Sequence, residues 1–215
     1  MPDAPDTGSD AGSPAGSPAA PRTSPFLDGA LTLDPRTLRG LAHPLRMRLL
    51  AALRHYGPAT ASQLADRLSE SSGATSYHLR QLATYGFVED DPELGKGRER
   101  WWKAAQQGTV VDDSLHFHAD PAVRGAMNTF LHELVTMHGQ ELSTWLGTRQ
   151  DWPLVWTAKA DFSDFTLRLT PDLLAELTQR IHGVIGDYSD LALPEGTEDA
   201  ARIRVHLHAF PQAND

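Results

Sequence analysis

The chain contains no cysteine, so disulfides and thiolate metal sites are excluded. No uninterrupted apolar run approaches the roughly 18 residues that span a bilayer. The first residues lack the basic and apolar regions of a secretory signal, so the expectation is a cytoplasmic protein with no membrane partner. Basic residues are outnumbered, with 19 Lys and Arg against 28 Asp and Glu, a net charge of −9. Catalytic patterns are missing too: there is no GxSxG, no phosphate-cradling glycine loop and no paired-carboxylate context. Lone Ser, His and Asp residues do not make a triad, which is recognised by geometry, so a non-enzymatic protein is expected. What remains is a chain of 215 residues with 40% hydrophobic content, enough for one or two globular domains.

The acidic balance is not uniform. Residues 1–33 hold one Arg and four Asp, and residues 107–215 hold seven basic and sixteen acidic residues. Residues 34–106 carry eleven Lys and Arg against eight Asp and Glu, a net of +3. This sign asymmetry is the one shown by a nucleic-acid module attached to an acidic partner domain. Residues 1–25 are rich in Gly, Ser, Pro, Ala and Asp without apolar periodicity, which predicts a disordered tail.

The basic segment is also the best patterned. Asp34-Pro35 places an N-cap before a proline at the first helical position. Leu38, Leu41 and Ala42 continue that helix until Pro44 removes a backbone donor. Leu45, Leu49, Leu50 and Leu53 then form a second apolar stripe, ending near Gly57-Pro58. Thr60 with Gln63 three residues on is a capping box for a third helix, whose inner face is Leu64, Ala65 and Leu68. Ser69 to Gly73 supplies turn chemistry, and Ser71 or Ser72 caps a fourth helix. There Thr75, Leu79 and Leu82 share one side, while Ala74, Tyr77, Arg80 and Gln81 point the other way. A strand from Gly86, a two-glycine turn at Leu94 to Arg98 and a strand from Arg98 to Ala104 make a β-hairpin directly after this helix pair.

The run LAHPLRMRLLAAL (Leu41 to Leu53), the helix-turn-helix with SYHLRQL (Ser76 to Leu82) and the following hairpin together resemble ArsR-type winged-helix regulators over residues 34–106. The resemblance implies a dimer on double-stranded DNA, with repression by operator occlusion. It implies DNA contacts from Ser71, Ser72, Ala74, Ser76, Tyr77, His78, Arg80 and Gln81, and from Lys96, Arg98 and Arg100 of the wing. Arg pairs bidentately with guanine and Gln with adenine, whereas wing cations suit phosphates. His78 sits at the flank of the buried face and is expected to be a satisfied, half-buried side chain with at most a weak contact. Many relatives carry His where Tyr77 stands and Pro where Gly73 stands, so their base preference does not transfer.

Beyond the hairpin, residues 107–119 read as a polar linker, and Asp120-Pro121 opens a long helix. Val123, Met127, Phe130, Leu134 and Met137 follow near-heptad spacing, widened by Leu131, Val135, Leu142 and Trp145. So broad a stripe needs a partner surface, either its own domain or a two-fold dimer contact over residues 121–146. Alternation at Phe165, Leu167 and Leu169 and again at Ile203, Val205, Leu207 and Ala209 predicts two strands flanking a helix capped by Thr170-Pro171. The expected fold is therefore α+β and mainly helical: a winged helix-turn-helix, then a long helix and a small α+β unit over residues 120–215.

Ten histidines invite a metal. His132 and His138 lie six apart, poor spacing for joint ligation on a helix, and His116/His118 and His206/His208 supply no local set of three ligands, so neither metal nor cofactor is expected. Two other readings stay open. One is a winged helix used as a protein–protein module without specific DNA binding. The other makes the C-terminal unit a sensor for a small-molecule effector, with Trp152 and Trp156 lining a pocket.

Overall fold

The computed structural model describes residues 30–94, 100–194 and 196–213. The N-terminal segment read as disordered, and Lys96 and Arg98 of the wing, lie outside the described residues.

Local chemistry sets the helix starts. In α1 (Pro35–Leu41) the Asp34 carboxylate accepts the Thr37 N–H at 2.6 Å, and the Thr37 hydroxyl accepts the Asp34 N–H at 2.8 Å. Helix α2 (Pro44–Tyr56) begins where His43 Nδ1 accepts the Leu45 N–H, and it stops at Gly57, whose φ of 82° suits glycine. Strand β2 (Ala59–Thr60) leads into α3 (Ala61–Leu68), where the Thr60–Gln63 capping box forms as expected. Left-handed Ser69 ends α3, and Ser71 Oγ accepts the Ala74 N–H to start α4 (Ser72–Thr84). Arg48 ties the turn down by donating to the Leu68 carbonyl and pairing with Glu70.

The wing pairs β3 (Val88–Asp90) antiparallel with β4 (Trp101–Ala104), in the register Val88↔Ala104 and Asp90↔Trp102, and β4 also pairs with β2. One core serves all of this: Leu38, Leu49, Leu64, Leu79, Leu82 and Phe87 are fully buried in it.

Three departures from the sequence expectations have clear causes. First, residues 107–119 are not a plain linker. They contain β5 (Gly108–Val111), which pairs in parallel with β1 (Ala30–Leu33), and then a short 3-10 helix from Asp113 to Phe117. Arg54 fastens β5 to α2 by donating to the carbonyls of Gln106 and Gly108. Second, the long helix α5 (Pro121–Thr148) divides its stripe. Val123, Met127 and Phe130 are buried in the winged-helix core, so Phe130 belongs to the protein's own interior and not to an outer contact face. Past it, Val135, Leu142 and Leu146 are exposed. Third, the two alternating segments around Phe165–Leu169 and Ile203–Ala209 form no strand. Alternation gives a strand one apolar face but no partner, and no neighbouring edge pairs with either segment among the described residues. After a short α6 (Leu154–Thr157), the amphipathic α7 (Pro171–Asp190) does form and is capped by Thr170. Its only buried residue is Gly186. No helix among the described residues is long and apolar enough to cross a membrane.

Candidate nucleic-acid interface

Helix α4 is seated on one face and open on the other. Thr75, Leu79 and Leu82 are wholly buried against α2 and α3. Opposite them, Tyr77 is 54% exposed, Arg80, Ser71 and Ser72 are exposed, and Ala74, Ser76 and Gln81 are partly so. The structure thus gathers seven of the eight predicted α4 residues, all but His78, on one outward surface. Arg80 rests one donor, Nε, on the Ser76 carbonyl at 3.1 Å, which steadies a guanidinium with further donors to offer.

His78 is the exception, as its flank position implied. Its ring sits 4.4 Å from that of His43, the N-cap of α2, and among the described residues its Nδ1 is buried without a partner, so the ring is half-buried but not satisfied as expected. Burial, then His43 and Arg46, holds its pKa below the ordinary histidine value. His43 is lowered in the same way, by burial first and then Arg46. Burial at both rings favours the neutral imidazole, and the two meet where α4 packs beside the start of α2.

Cations beside α4 escaped the reading by motifs. Arg46 Nη2 donates to the Arg39 carbonyl at 3.1 Å, and among the described residues its Nε is buried without a partner. Burial lowers its pKa, while Tyr85 and Tyr77 work against that shift. Arg36 lies 5.1 Å over the Tyr85 ring and donates to the Thr84 carbonyl at the end of α4. Four arginines within Arg36–Arg48 were the available signal, though only the fold shows which of them flank α4. Arg39 is engaged by Asp120, the N-cap of α5.

In the wing, Arg100 pairs with Asp90 at 3.0 Å and stacks 4.1 Å over Trp102. Lys103 faces Glu89 at 3.5 Å. The described cations of the hairpin are therefore each paired with a carboxylate, and Arg100, held to Asp90 through Nε alone, keeps its Nη donors to offer to a phosphate.

Among the described residues, no group of three or more His, Asp or Glu is placed to hold a metal ion. His138 of α5 does gather His206, stacked at 3.8 Å, and His208, at 3.1 Å, from the far C-terminal segment. Stacked imidazoles direct their lone pairs in parallel rather than toward one point. Trp152 and Trp156 line a depression with His55 and Arg202, beside a cavity of about 470 Å³ between α2 and α5.

Residues 41–91 match the model of a family described as a helix-turn-helix domain. Among solved structures, the chain is similar to a possible transcriptional regulator for arsenical resistance, with 26% identity, 46% of this chain and 82% of that chain covered, and a TM-score of 0.29. It is also similar to the homodimeric winged helix-turn-helix DNA-binding domain of a possible ArsR-family transcriptional regulator from Mycobacterium bovis, with 20% identity, 49% and 80% covered, and a TM-score of 0.30. No protein of curated function matches the chain.

Proposed function

We propose that this chain, which carries an ArsR-type winged helix-turn-helix and is a DNA-binding regulator of transcription, binds a specific operator as a homodimer, represses by occluding it, and responds to a small-molecule effector. The observation that carries the reading is α4 itself: a helix buried through Thr75, Leu79 and Leu82 that presents Tyr77, Arg80 and Gln81 on a single open face. Two such helices about 34–36 Å apart would enter successive major grooves, with base edges met by Arg80 and Gln81 and phosphates by the wing and by Ser71 and Ser72. Arg36 extends this surface at the end of α4. The homodimer is supported by the apolar residues that α5 leaves open past Phe130, namely Val135, Leu142 and Leu146. Contiguous apolar surface of that kind is rarely left to water in a folded protein.

The test is a gel-shift with genomic fragments across a salt series. Salt-sensitive retention of particular fragments, lost in Arg80→Ala, is expected. Absence of any salt-sensitive binding would leave the winged helix as a protein–protein module.

A further inference from the structure

The cavity between α2 and α5 is apolar on its walls and one-sided in charge. Met47 and Leu50 of α2 face Phe130, Leu134 and Met137 of α5 across it, and Ile203 of the C-terminal segment also lines it. Its volume of about 470 Å³ is that of a small-molecule site. Arg54, Arg202 and Arg204 also line it, against a single carboxylate, Glu141. Glu141 is already engaged: Arg204 meets it at 2.8 and 3.0 Å, and His206 at 3.0 Å. Arg202 donates to the His55 carbonyl.

Arg54 is different. Its Nε donates to the Gln106 carbonyl, and its Nη2 to the Gly108 carbonyl and the Thr109 hydroxyl, each at 2.9 Å. All three acceptors are neutral. Among the described residues no carboxylate reaches it, and its Nη1 makes no hydrogen bond. Burial pulls its pKa down to about 10, the mark of a cation short of compensation. His55 on the same wall is lowered by burial and then by Arg202 and Arg204, which reports the same positive field. A half-buried guanidinium whose Nε and Nη2 hydrogens all go to neutral acceptors, next to an apolar hollow, is half of a carboxylate site, since a charge-assisted bond at the open Nη1 repays desolvation that carbonyls alone do not.

We propose that this cavity binds an amphipathic organic carboxylate, with its apolar body between α2 and α5 and its carboxylate against Arg54. The inference gives a chemical class to the effector in the functional reading above, and it rests on that reading only for the consequence at DNA. The route there is short. The α2 that forms one wall is capped by His43, whose ring abuts His78 of α4.

The test is calorimetric titration of the full chain, without DNA, using decanoate, decan-1-ol and inorganic sulfate as probes. Decanoate should saturate one site per chain. The alcohol has the body without the charge, and sulfate the charge without the body, and neither should bind in the same range. Arg54→Met should weaken decanoate about ten-fold or more, the loss expected for a charge-assisted pair. Because Arg54 also fastens β5, Leu134→Trp is the second variant: it fills the hollow, keeps the guanidinium, and should abolish binding while leaving the circular dichroism of the folded chain. Equal binding of decanol, many unsaturable sites, or decanoate binding indifferent to both variants overturns the proposal. The two readings fail separately. Operator binding without decanoate binding removes the cavity site alone, and decanoate binding without any DNA binding removes the operator reading alone.

Discussion

Gly40 sits in α1 where the side chain of Tyr85, just past the end of α4, crosses it. A Cβ added at Gly40 would lie 2.4 Å from Tyr85 Cγ and 2.6 Å from both Cδ atoms. Carbon atoms pack at about 3.5–4.0 Å, so the overlap is about 1 Å. The clash is with the base of the ring, which a flip of the ring about its own axis does not move. Relief requires Tyr85 to change its rotamer or to move with its backbone, which hydrogen-bonds to Gln81 and Leu82 of α4, and either change takes the ring away from the Arg36 guanidinium 5.1 Å above it. Overpacking of this kind costs about 1–3 kcal/mol. Against it, alanine gains up to about 1 kcal/mol over glycine in a helix. Gly40→Ala should therefore destabilise the protein by about 1 kcal/mol net, and up to about 2 kcal/mol. Gly125→Ala is the control. It lies within α5 with nothing within 4 Å of the added Cβ, and should stabilise by about 0.5–1 kcal/mol. Urea denaturation reads both through the midpoint at constant slope. Pairing Gly40→Ala with Tyr85→Ala should remove most of the penalty specific to Gly40. If Gly40→Ala alone matches the wild type or exceeds it, the close approach of α1 to Tyr85 is not a constraint on the seat of α4, and the reasoning fails.

Gln81→Ala should relax operator preference at one position, by about 1–3 kcal/mol, with little change in salt slope, as read from binding to operator and scrambled DNA. Arg98→Ala should weaken both DNAs alike and flatten the log–log salt slope by about 0.9, the release of one phosphate contact; a changed base preference with an intact slope would make the wing a reader of sequence. Leu142→Glu places a charge on the open face of α5 and should lower the molar mass found by light scattering to that of a monomer, whereas a persisting tight dimer would move the interface elsewhere. Burial, then His206 and His208, pushes the His138 pKa down from 6.5 to about 4. The unfolded chain takes up that proton first, so stability is fully present above about pH 6.5 and falls as pH drops toward 4. His138→Gln should flatten that part of a stability–pH profile, and an unchanged profile would contradict the burial of its ring.

The sequence alone determined whatever is decided within about four residues of chain. Asp34 with Thr37, His43 before Pro44, Thr60 with Gln63, Ser71 with Ala74 and Thr170 before Pro171 each start a helix by satisfying free N–H groups locally. The same short range gave α4 its two faces, and with them the candidate DNA contacts, because a helix places side chains by period alone. Tertiary structure decided what depends on residues far apart. Alternation at Phe165–Leu169 and Ile203–Ala209 looked like strands and found no edge to pair with among the described residues, while β1 and β5, some eighty residues apart in sequence (Ala30 beside Gly108), paired over runs of only four residues each. The stripe of α5 could not say that Phe130 is interior and Leu142 is not, since that depends on where the winged-helix core ends. Nor could the sequence show that Arg54 meets only neutral acceptors among the described residues, or that His78 meets His43. Ion pairing and burial are properties of neighbours in space, and only the folded chain chooses them.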